Sequence, residues 1–365
     1  MVRSGRRSRY AVLMTEVIRV DPNRPDPTVI ARAAECLRAG GLVAFPTETV
    51  YGLGVHALDR AAVRRLFEAK QRPATDPLIV HIGSVDLLAP LVIEVPDAVR
   101  TLARRFWPGP LTLVLPRSPV VPDEVTAGLP SVAVRVPSHS VARALIAAAG
   151  IPVAAPSANL FSRPSPTRAS HVLDDLGGRI DLIIDGGPTT IGVESTVLDL
   201  SRGTPTVLRP GAITVDMLRE VLPRVDVLTT IEPGPMPSPG MLEKHYAPRA
   251  PLTLFEGQPA AVLQALVLAA RAALVEGKSV GVIAADDDEA ALGELGGSDK
   301  HVLLRTIGAE RATDVVAARL YAALRDLDAA GVDVILVRSF PAERGLGTAV
   351  QDRLRRAAAG RIVRC

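Results

Sequence analysis

Residues 42–70 read LVAFPTETVYGLGVHALDRAAVRRLFEAK and contain, in one stretch, the alternation that runs through the whole chain. The apolar run at 42–45 is typical of a buried strand, and PTETVYGLG at 46–54 follows it as a polar loop whose glycines let the backbone approach a ligand. The next residues have the apolar spacing of a helix, with Asp59 as its N-cap. Strand, loop and helix in this order predict an α/β fold.

The same alternation continues on both sides of this stretch. Short apolar runs predict further strands at 78–82, 111–115, 132–136 and 197–200, and helical spacing predicts helices at 26–41, 139–150 and 214–222. After residue 251 the pattern resumes, with strands at 252–255, 279–285 and 332–337 and helices near 259–276, 309–329 and 347–359. Strands separated by helices indicate that this second part is a small parallel α/β domain.

These patterns predict four successive parts of the chain. Residues 1–14 form a basic arm without regular structure, and residues 15–225 form the first domain. Residues 226–251 are rich in proline, which removes backbone donors, so they are predicted to be a semi-rigid linker. Residues 252–365 form the second domain.

The composition limits the classes of protein to which the chain can belong. Hydrophobic residues make up 48% of its 365 residues and charged residues 22%, which is the balance of a globular protein. Its two cysteines exclude a disulfide scaffold and a thiolate zinc site. The net charge of +3 excludes a protein that works mainly as a polycation but allows a local basic pocket. No apolar stretch is long enough to span a bilayer, so we expect a cytoplasmic protein with no membrane partner.

Two short motifs look like nucleotide-binding loops. Gly52, Gly54 and Ala57 match G-x-G-x-x-A, but PTETV separates the first glycine from the preceding strand, so a dinucleotide site is not predicted there. Gly277-Lys278-Ser279 follows a helix rather than a strand, so it is interpreted as a helix end and not as a P-loop.

Polar side chains gather in loops next to the predicted strands of the first domain. Lys70 and Arg72 follow a helix end, and only four of the 42 basic residues in this chain are lysines. With backbone amides and hydroxyls, such side chains suit phosphate groups, and we expect both to reach one pocket. The alternative is a solvated helix terminus whose cations complement the helix dipole. Ser157 and Asn159 alternate in an extended S-x-N that would face one ligand, or form a turn.

Taken together, these segments resemble the threonylcarbamoyl-AMP synthase family in its long, two-domain form with a YrdC-like catalytic domain. The segments that carry the resemblance, in family order, are GGLVAFPTETVYGLG, FEAKQRPATDPLIVHI, FWPGPLTLVL, SVAVRVPSH, VAAPSAN, ESTVLDL and VLRPGAI. Beyond them, SPGMLEKHYAPRAPL is similar to the interdomain linker of the family and GLGTAVQDRLRRAA to its C-terminal helix. The resemblance implies an open, twisted, mixed sheet in the first domain and a smaller Rossmann-like parallel domain after it.

The resemblance also implies a reaction. L-threonine, bicarbonate or CO₂, and ATP would condense to threonylcarbamoyl-adenylate and pyrophosphate, with Mg²⁺ held mainly by the ATP phosphates and no protein ligand to the metal. A downstream enzyme would transfer the threonylcarbamoyl group to tRNAs that read codons beginning with A.

The residue roles implied by the resemblance fall into three sets. The catalytic motifs are Lys70 with Arg72 and Ser157 with Asn159. ATP is bound by Arg72, Asp76, Ser131, Ser157, Ser165, Arg209 and the linker residue Tyr246. L-threonine is bound by Thr49, His81, Arg135, Ala155 and Ser195. Asp76 stands where the family commonly has Asn, and Ser131 where it commonly has Thr.

The residue types fit this chemistry. Carbamate and triphosphate are both anions, so a prearranged positive pocket of Lys70, Arg72 and Arg209 is the main requirement. Arg135 suits the threonine carboxylate as a bidentate partner, and His81 is the candidate base for the amine. The linker would close over the site and exclude water.

Two alternatives come from other classes. A YrdC-like domain has a concave basic surface that could bind double-stranded RNA or tRNA without turnover, although few aromatic residues are available for stacking. A carbamoyl-phosphate relative from hydrogenase maturation would need zinc-finger cysteines, which this chain lacks.

Overall fold

The structure is a computed structural model, and it describes residues 14–228, 245–296, 301–343 and 345–365. In these residues the strands are β1 (Glu16–Arg19), β2 (Val43–Pro46), β3 (Tyr51–His56), β4 (Ile79–His81), β5 (Leu111–Pro116), β6 (Ser131–Arg135), β7 (Val153–Ala154), β8 (Leu182–Asp185), β9 (Thr196–Asp199), β10 (Thr206–Arg209), β11 (Asp226–Val227), β12 (Leu252–Glu256), β13 (Val280–Ala284), β14 (Val302–Thr306), β15 (Val334–Arg338) and β16 (Ile362–Arg364). The helices are α1 (Pro27–Arg38), α2 (Arg60–Lys70), α3 (Asp97–Phe106), α4 (Asp123–Thr126), α5 (Ser140–Ala149), α6 (Ala169–Leu176), α7 (Val215–Arg219), α8 (Pro259–Val275), α9 (Glu289–Gly296), α10 (Thr313–Ala329) and α11 (Gly347–Ala358).

The first sheet is mixed, as predicted. Over the described residues its order is β1-β8-β2-β3-β7-β4-β6-β5-β9-β10-β11. Strands β4 and β6 pair in parallel, whereas β5 and β6, β3 and β7, and β9 and β10 pair in antiparallel. Because β4, β6 and β10 end near one another, the residues at those ends are brought together for a site.

A loop is predicted at 46–54, but in the structure this loop ends at residue 50. From Tyr51 the chain forms β3, which pairs in antiparallel with β2 so that Val43 lies opposite Gly54. The glycines serve packing here, because a Cβ atom on Gly54 would lie 2.7 Å from the ring of Phe45. The prediction that G-x-G-x-x-A is not a dinucleotide loop is confirmed, since its glycines lie inside an antiparallel strand.

Two helices of the first domain begin where their capping residues predict. The Asp26 carboxylate accepts the backbone N–H of Thr28 at the start of α1. The Asp59 carboxylate accepts the N–H groups of Ala61 and Ala62 at the start of α2, and the left-handed backbone of Gln71 ends the helix after Lys70.

The second sheet is fully parallel, as predicted, with the order β14-β13-β15-β12-β16 in the described residues. Strand β14, helix α9 and the short strand β16 were not predicted, because each is short and lacks a long buried run. Gly277 has a left-handed backbone just past the end of α8, so the predicted helix end at Gly277-Lys278-Ser279 is confirmed.

The predicted arm at 1–14 lies outside the described residues except for residue 14, and the central part of the predicted linker, 229–244, lies outside them as well. The start of the linker, at 226–227, adds strand β11 to the first sheet. Its end packs in the buried cluster of the second domain, where Tyr246 and Ala250 lie beside Leu320, and Val50 and Val193 of the first domain join them. Residues of both domains therefore pack together in this cluster, while each domain has a further core of its own. No helix among the described residues has the length and apolarity needed to cross a membrane.

Candidate active site

A cavity lies where β4, β6 and β10 end, and the last part of the linker covers it. It contains about 530 Å³ of empty space, including its mouth. Nine residues with a predicted role lie on its wall: Thr49, Arg72, His81, Arg135, Ala155, Ser157, Ser195, Arg209 and Tyr246. Seven others on the wall had no predicted role: Thr47, Val50, Gly52, Ile79, Pro156, Glu194 and His245. Lys70, Asp76, Ser131, Asn159 and Ser165 are not part of the wall.

One side of the cavity is built around Arg135, the last residue of β6. Its guanidinium donates to Glu48 Oε1 at 2.6 Å, to Thr49 Oγ1 at 3.0 Å and to the carbonyl of Gly109 at 3.2 Å. A guanidinium has five N–H donors, so two remain for a ligand. Burial raises the pKa of Glu48, but the Arg135 charge and hydrogen bond outweigh it and the pKa lies below its usual value.

His81 ends β4, opposite Arg135 in the parallel register. Burial lowers the pKa of its imidazole, and the Arg135 charge lowers it further, to about 3. The ring is therefore neutral at pH 7 and is a weak base. This pKa disfavours the expected role of His81 as the base for the amine, since an efficient base titrates near the working pH.

A second side of the cavity joins β9 to β10. Arg209 donates from Nε to the carbonyl of Ser195 and from Nη2 to Ser195 Oγ, both at 3.1 Å. The hydroxyls of Ser195 and Thr112 lie 2.8 Å apart. Ser195 thus ties the arginine at the end of β10 to the core of the sheet, and the guanidinium forms part of the wall.

Arg72 reaches the cavity from the turn after α2, where Gln71 takes a left-handed backbone at φ 53°. Its Nε donates to the carbonyl of Asp76 at 3.1 Å, and its Nη2 lies 2.9 Å from Asp76 Oδ2. Asp76 is buried behind Arg72 rather than on the wall, so the structure gives it a supporting position.

Lys70 does not reach the cavity, contrary to the expectation that it and Arg72 enter one pocket together. Its ammonium is buried and donates to the carbonyls of Ser157 and Asn159, each at 2.5 Å. Burial, followed by the charge of Arg72, holds the pKa of Lys70 well below its usual value. These two hydrogen bonds connect the end of α2 to the PSAN segment, residues 156–159.

Ser157 and Asn159 do not face one ligand as the extended S-x-N predicts. Ser157 lies opposite Gly52 in an isolated antiparallel bridge and forms part of the wall. The chain then bends, and the N–H of Asn159 donates to the carbonyl of Ser157. The Asn159 amide group instead donates to the carbonyls of Leu160 and Arg163. The bend breaks the alternation on which the prediction relied.

Two further residues with a predicted ATP contact lie off the wall. Ser165 is fully buried, and its hydroxyl donates to the Glu194 carboxylate. Ser131 begins β6, at the end of the strand away from Arg135. Their predicted roles remain predictions.

The linker contributes two aromatic rings to the cavity. His245 and Tyr246 are buried, with ring centroids 4.1 Å apart and an interplanar angle of 69°. Tyr246 has a φ of +60°, which is uncommon for a residue other than glycine. Its hydroxyl has no hydrogen-bond partner among the described residues. The expectation that Tyr246 covers the site agrees with this position, and His245 was missed although it is adjacent in the sequence.

The cavity has a positive wall. Its charged side chains are Arg72, Arg135 and Arg209 against one carboxylate, Glu194. Such a wall suits an anionic ligand. The part of the chain that the structure describes contains no cluster of three or more acidic, histidine or cysteine side chains that could hold a metal ion.

Comparison with known proteins relates both domains to one family. A profile of the Sua5, YciO and YrdC proteins, described as telomere recombination, matches residues 35–211, and one described as threonylcarbamoyl-AMP synthase, C-terminal domain, matches residues 213–359. Threonylcarbamoyl-AMP synthase of Pyrococcus abyssi is 45% identical over 354 residues, or 96% of this chain and 100% of the relative. That of Bacillus subtilis is 46% identical over 339 residues, which cover 92% of this chain and 94% of the relative.

A solved structure is also similar to this chain. The crystal structure of P. abyssi Sua5 complexed with L-threonine has a TM-score of 0.88 and 44% identity to this chain, and it covers 96% of this chain and 100% of its own. The fold and these named relatives together define a two-domain α/β enzyme of the nucleotidyltransferase class. The chain belongs to the threonylcarbamoyl-AMP synthase family.

Proposed function

We propose that the protein condenses L-threonine, bicarbonate or CO₂, and ATP to threonylcarbamoyl-adenylate and pyrophosphate. The observation that carries the proposal is the set of three arginines, Arg72, Arg135 and Arg209, which come from separate segments to one cavity. A relative that is 44% identical was crystallised with L-threonine, and this supports the choice of amino acid. Two mutually repelling anions require such a wall to come within reacting distance.

The two sides of the cavity suggest how the substrates are arranged. Arg135 keeps two N–H donors for the threonine carboxylate, with Thr49 and His81 beside it. Arg72 and Arg209 are placed to bind the phosphates, and Ser157 lies on the wall with them. In the reaction the threonine amine adds to CO₂ and loses a proton to solvent. The resulting carbamate oxygen displaces pyrophosphate from the α-phosphorus of ATP.

Magnesium enters this proposal as part of the ATP substrate. The triphosphate holds the ion, and the chain contributes arginine donors around the phosphates rather than metal ligands. The predicted roles of Lys70 and Asn159 become positioning roles. The Lys70 ammonium holds the carbonyl of Ser157, which lies on the wall, and the Asn159 amide group holds the turn that follows.

The product would serve tRNA modification. We propose that a downstream enzyme transfers the threonylcarbamoyl group to tRNAs reading codons that begin with A, and that both steps take place in the cytoplasm. Because a mixed anhydride of carbamate and phosphate hydrolyses readily, the cover formed by His245 and Tyr246 would protect it until release.

The test is a pyrophosphate-release assay with the purified full chain. Release should require threonine, bicarbonate and MgATP together, and omission of any one should reduce it to background. Mass spectrometry should detect threonylcarbamoyl-adenylate in the complete mixture. Release that continues without threonine, or with a different amino acid in preference, would contradict the proposed substrate.

A groove on the first domain favours contact with RNA as a second candidate function. Arg100, Arg104 and Arg143 line it together with Trp107, and the three arginines are exposed and have no acidic partner among the described residues. Exposed arginines beside an aromatic ring suit a polyanion with stacked bases. Binding of tRNA by the wild type that weakens in Arg100→Glu/Arg104→Glu would support this function, and equal binding by both would contradict it.

A further inference from the structure

Arg353, from helix α11 of the second domain, extends to the active site. Its side chain is fully buried and donates from Nε to Glu194 Oε2 at 2.8 Å, and Glu194 is part of the cavity wall. A second hydrogen bond, from Nη1 to Asp352 Oδ2 at 2.7 Å, holds the guanidinium in place. An arginine of the second domain thus pairs directly with the only carboxylate on the described wall of the cavity.

Glu194 receives donors from both domains. The hydroxyl of Tyr321, on helix α10, donates to Glu194 Oε2 at 3.0 Å, and Ser165 of the first domain donates to Oε1. The carboxylate is therefore held by three side chains, two of which belong to the second domain. Rigid placement of this kind is typical of a site whose polar groups must be oriented before the substrate arrives.

Arg353 also faces the linker residue that covers the cavity. Its Cζ atom lies 5.4 Å from the centroid of the Tyr246 ring, within range of a cation–π interaction. The centroid of the Tyr321 ring lies 5.6 Å from that of Tyr246. Tyr246 has an unfavourable positive φ, and contacts of this kind favour such a backbone by holding its ring in place.

Three buried polar groups here have no hydrogen-bond partner among the described residues. They are the Tyr246 hydroxyl, His245 Nδ1 and the Nη2 group of Arg353. Buried polar groups are nearly always paired, so an unpaired hydroxyl on the cavity wall points to a ligand that supplies its partner. The Tyr246 ring contacts Arg353 and Tyr321 of the second domain, and Tyr246 is also part of the cavity wall.

We propose that Arg353 is a positioning residue of the active site, which sets Glu194 and Tyr246 against the bound nucleotide and makes the second domain part of the catalytic unit. The inference rests on the proposed function, since it assigns this part of the cavity to ATP. It also gives the second domain a role that the sequence leaves open.

The charge of Glu194 depends on the same contact. Burial raises its pKa, but Arg353, and then Arg209, lower it to about 2. The groups that face this carboxylate are Arg353 of α11, Tyr321 of α10, Arg209 of β10, Ser165, and the linker residues His245 and Tyr246. Without the Arg353 charge, the effect of burial on the pKa of Glu194 is less compensated, so this pKa rises. As the pH is lowered, the variant should therefore lose activity at a higher pH than the wild type does.

The test compares Arg353→Gln and Arg353→Lys with Arg355→Gln in the pyrophosphate-release assay. Arg355 is a matched control because it lies on the same helix but pairs at the surface with Glu256 at 2.6 Å. We expect Arg353→Gln to raise the KM for ATP about tenfold to a hundredfold and the KM for threonine less than about threefold. Arg353→Lys should be intermediate because it keeps the charge and loses the planar fork, and Arg355→Gln should match the wild type.

A Glu194→Gln/Arg353→Gln variant addresses failure to fold, because it removes both buried charges together. It should fold and show the same rise in the KM for ATP as the single variant, without the shift in pH profile. A folded Arg353→Gln protein with both KM values unchanged, or both raised by the same factor, overturns the inference alone. A wild type that releases no pyrophosphate overturns the proposed function and this inference with it.

Discussion

The side chain of Lys70 takes a different direction from the one that its place in the sequence predicts. Its rarity marks it in a chain that otherwise uses arginine, yet its ammonium donates to two backbone carbonyls instead of a ligand. Sequence can identify an unusual lysine, but the direction of a four-carbon side chain depends on which carbonyls the fold brings near it.

Replacement of Lys70 separates a structural role from a chemical one. Lys70→Met keeps the length of the side chain and leaves two buried carbonyls without a donor. We therefore expect the free energy of unfolding to be about 2–4 kcal/mol lower than in the wild type. Urea denaturation measures this change. A variant that is as stable as the wild type but inactive would show that Lys70 takes part in the chemistry.

Arg135 tests the threonine side of the cavity. Arg135→Lys keeps the positive charge but cannot offer a planar pair of donors, so we expect the KM for threonine to rise about tenfold while the KM for ATP stays the same. The control is Arg117→Lys, because Arg117 pairs with Asp123 near the surface of the same domain. An equal rise in both KM values would contradict the assignment of Arg135 to threonine.

At the scale of elements, the contact between the domains depends on a close approach of backbones. The loop before β9 touches helix α10 at Gly192, where a Cβ atom would lie 2.4 Å from the carbonyl oxygen of Ala317. The loop continues into Glu194 and Ser195 of the cavity wall. Packing of α10 against this glycine therefore influences the site.

Two glycines of this loop form a matched pair of variants. Gly192 has a φ of +81° and Gly187 a φ of +82°, but a Cβ atom on Gly187 would meet nothing within 4 Å. Gly187→Ala should show only backbone strain, about 1 kcal/mol, whereas Gly192→Ala should also push α10 away and lose stability and activity. Thermal unfolding and pyrophosphate release measure both effects. Equal losses in the two variants would mean that packing against α10 is unimportant.

The elements themselves were predictable to the extent that their signals are local. Asp26 and Asp59 cap helices as expected, and the long apolar runs are strands. Strand β3 was missed because its glycines are also typical of a loop, and the need for glycine at Gly54 comes from Phe45 and Val153 on the neighbouring strands.

At the scale of the whole molecule, buried histidines make stability depend on pH. Burial is the main cause that lowers the pKa of His81, His171 and His245, each to about 3. Below pH 6.5 the unfolded chain takes up these protons and the folded chain does not, so stability falls as the pH falls from 6.5 towards 3.

We expect each of the three histidines to contribute about 1.4 kcal/mol of lost stability per pH unit in this window. Urea denaturation at several pH values between 7 and 5 measures the slope. His171→Gln removes one contribution and should make the slope less steep. A slope that is flat in the wild type would contradict the neutral, buried state of these rings.

The α/β fold class and the family follow from local patterns and motif order, because strand, helix and cap signals lie within a few residues of one another. Nine residues with a predicted role, from loops, strand ends and the linker, also lie on one cavity. Which atoms face that cavity was decided by tertiary structure. The pairing of Glu194 with Arg353 joins residues 159 positions apart, and the Lys70 ammonium donates to the carbonyls of Ser157 and Asn159, 87 and 89 positions away, which only folding brings within reach. Hydrogen bonds and ion pairs form between groups that are close in space, and no local sequence pattern records that distance.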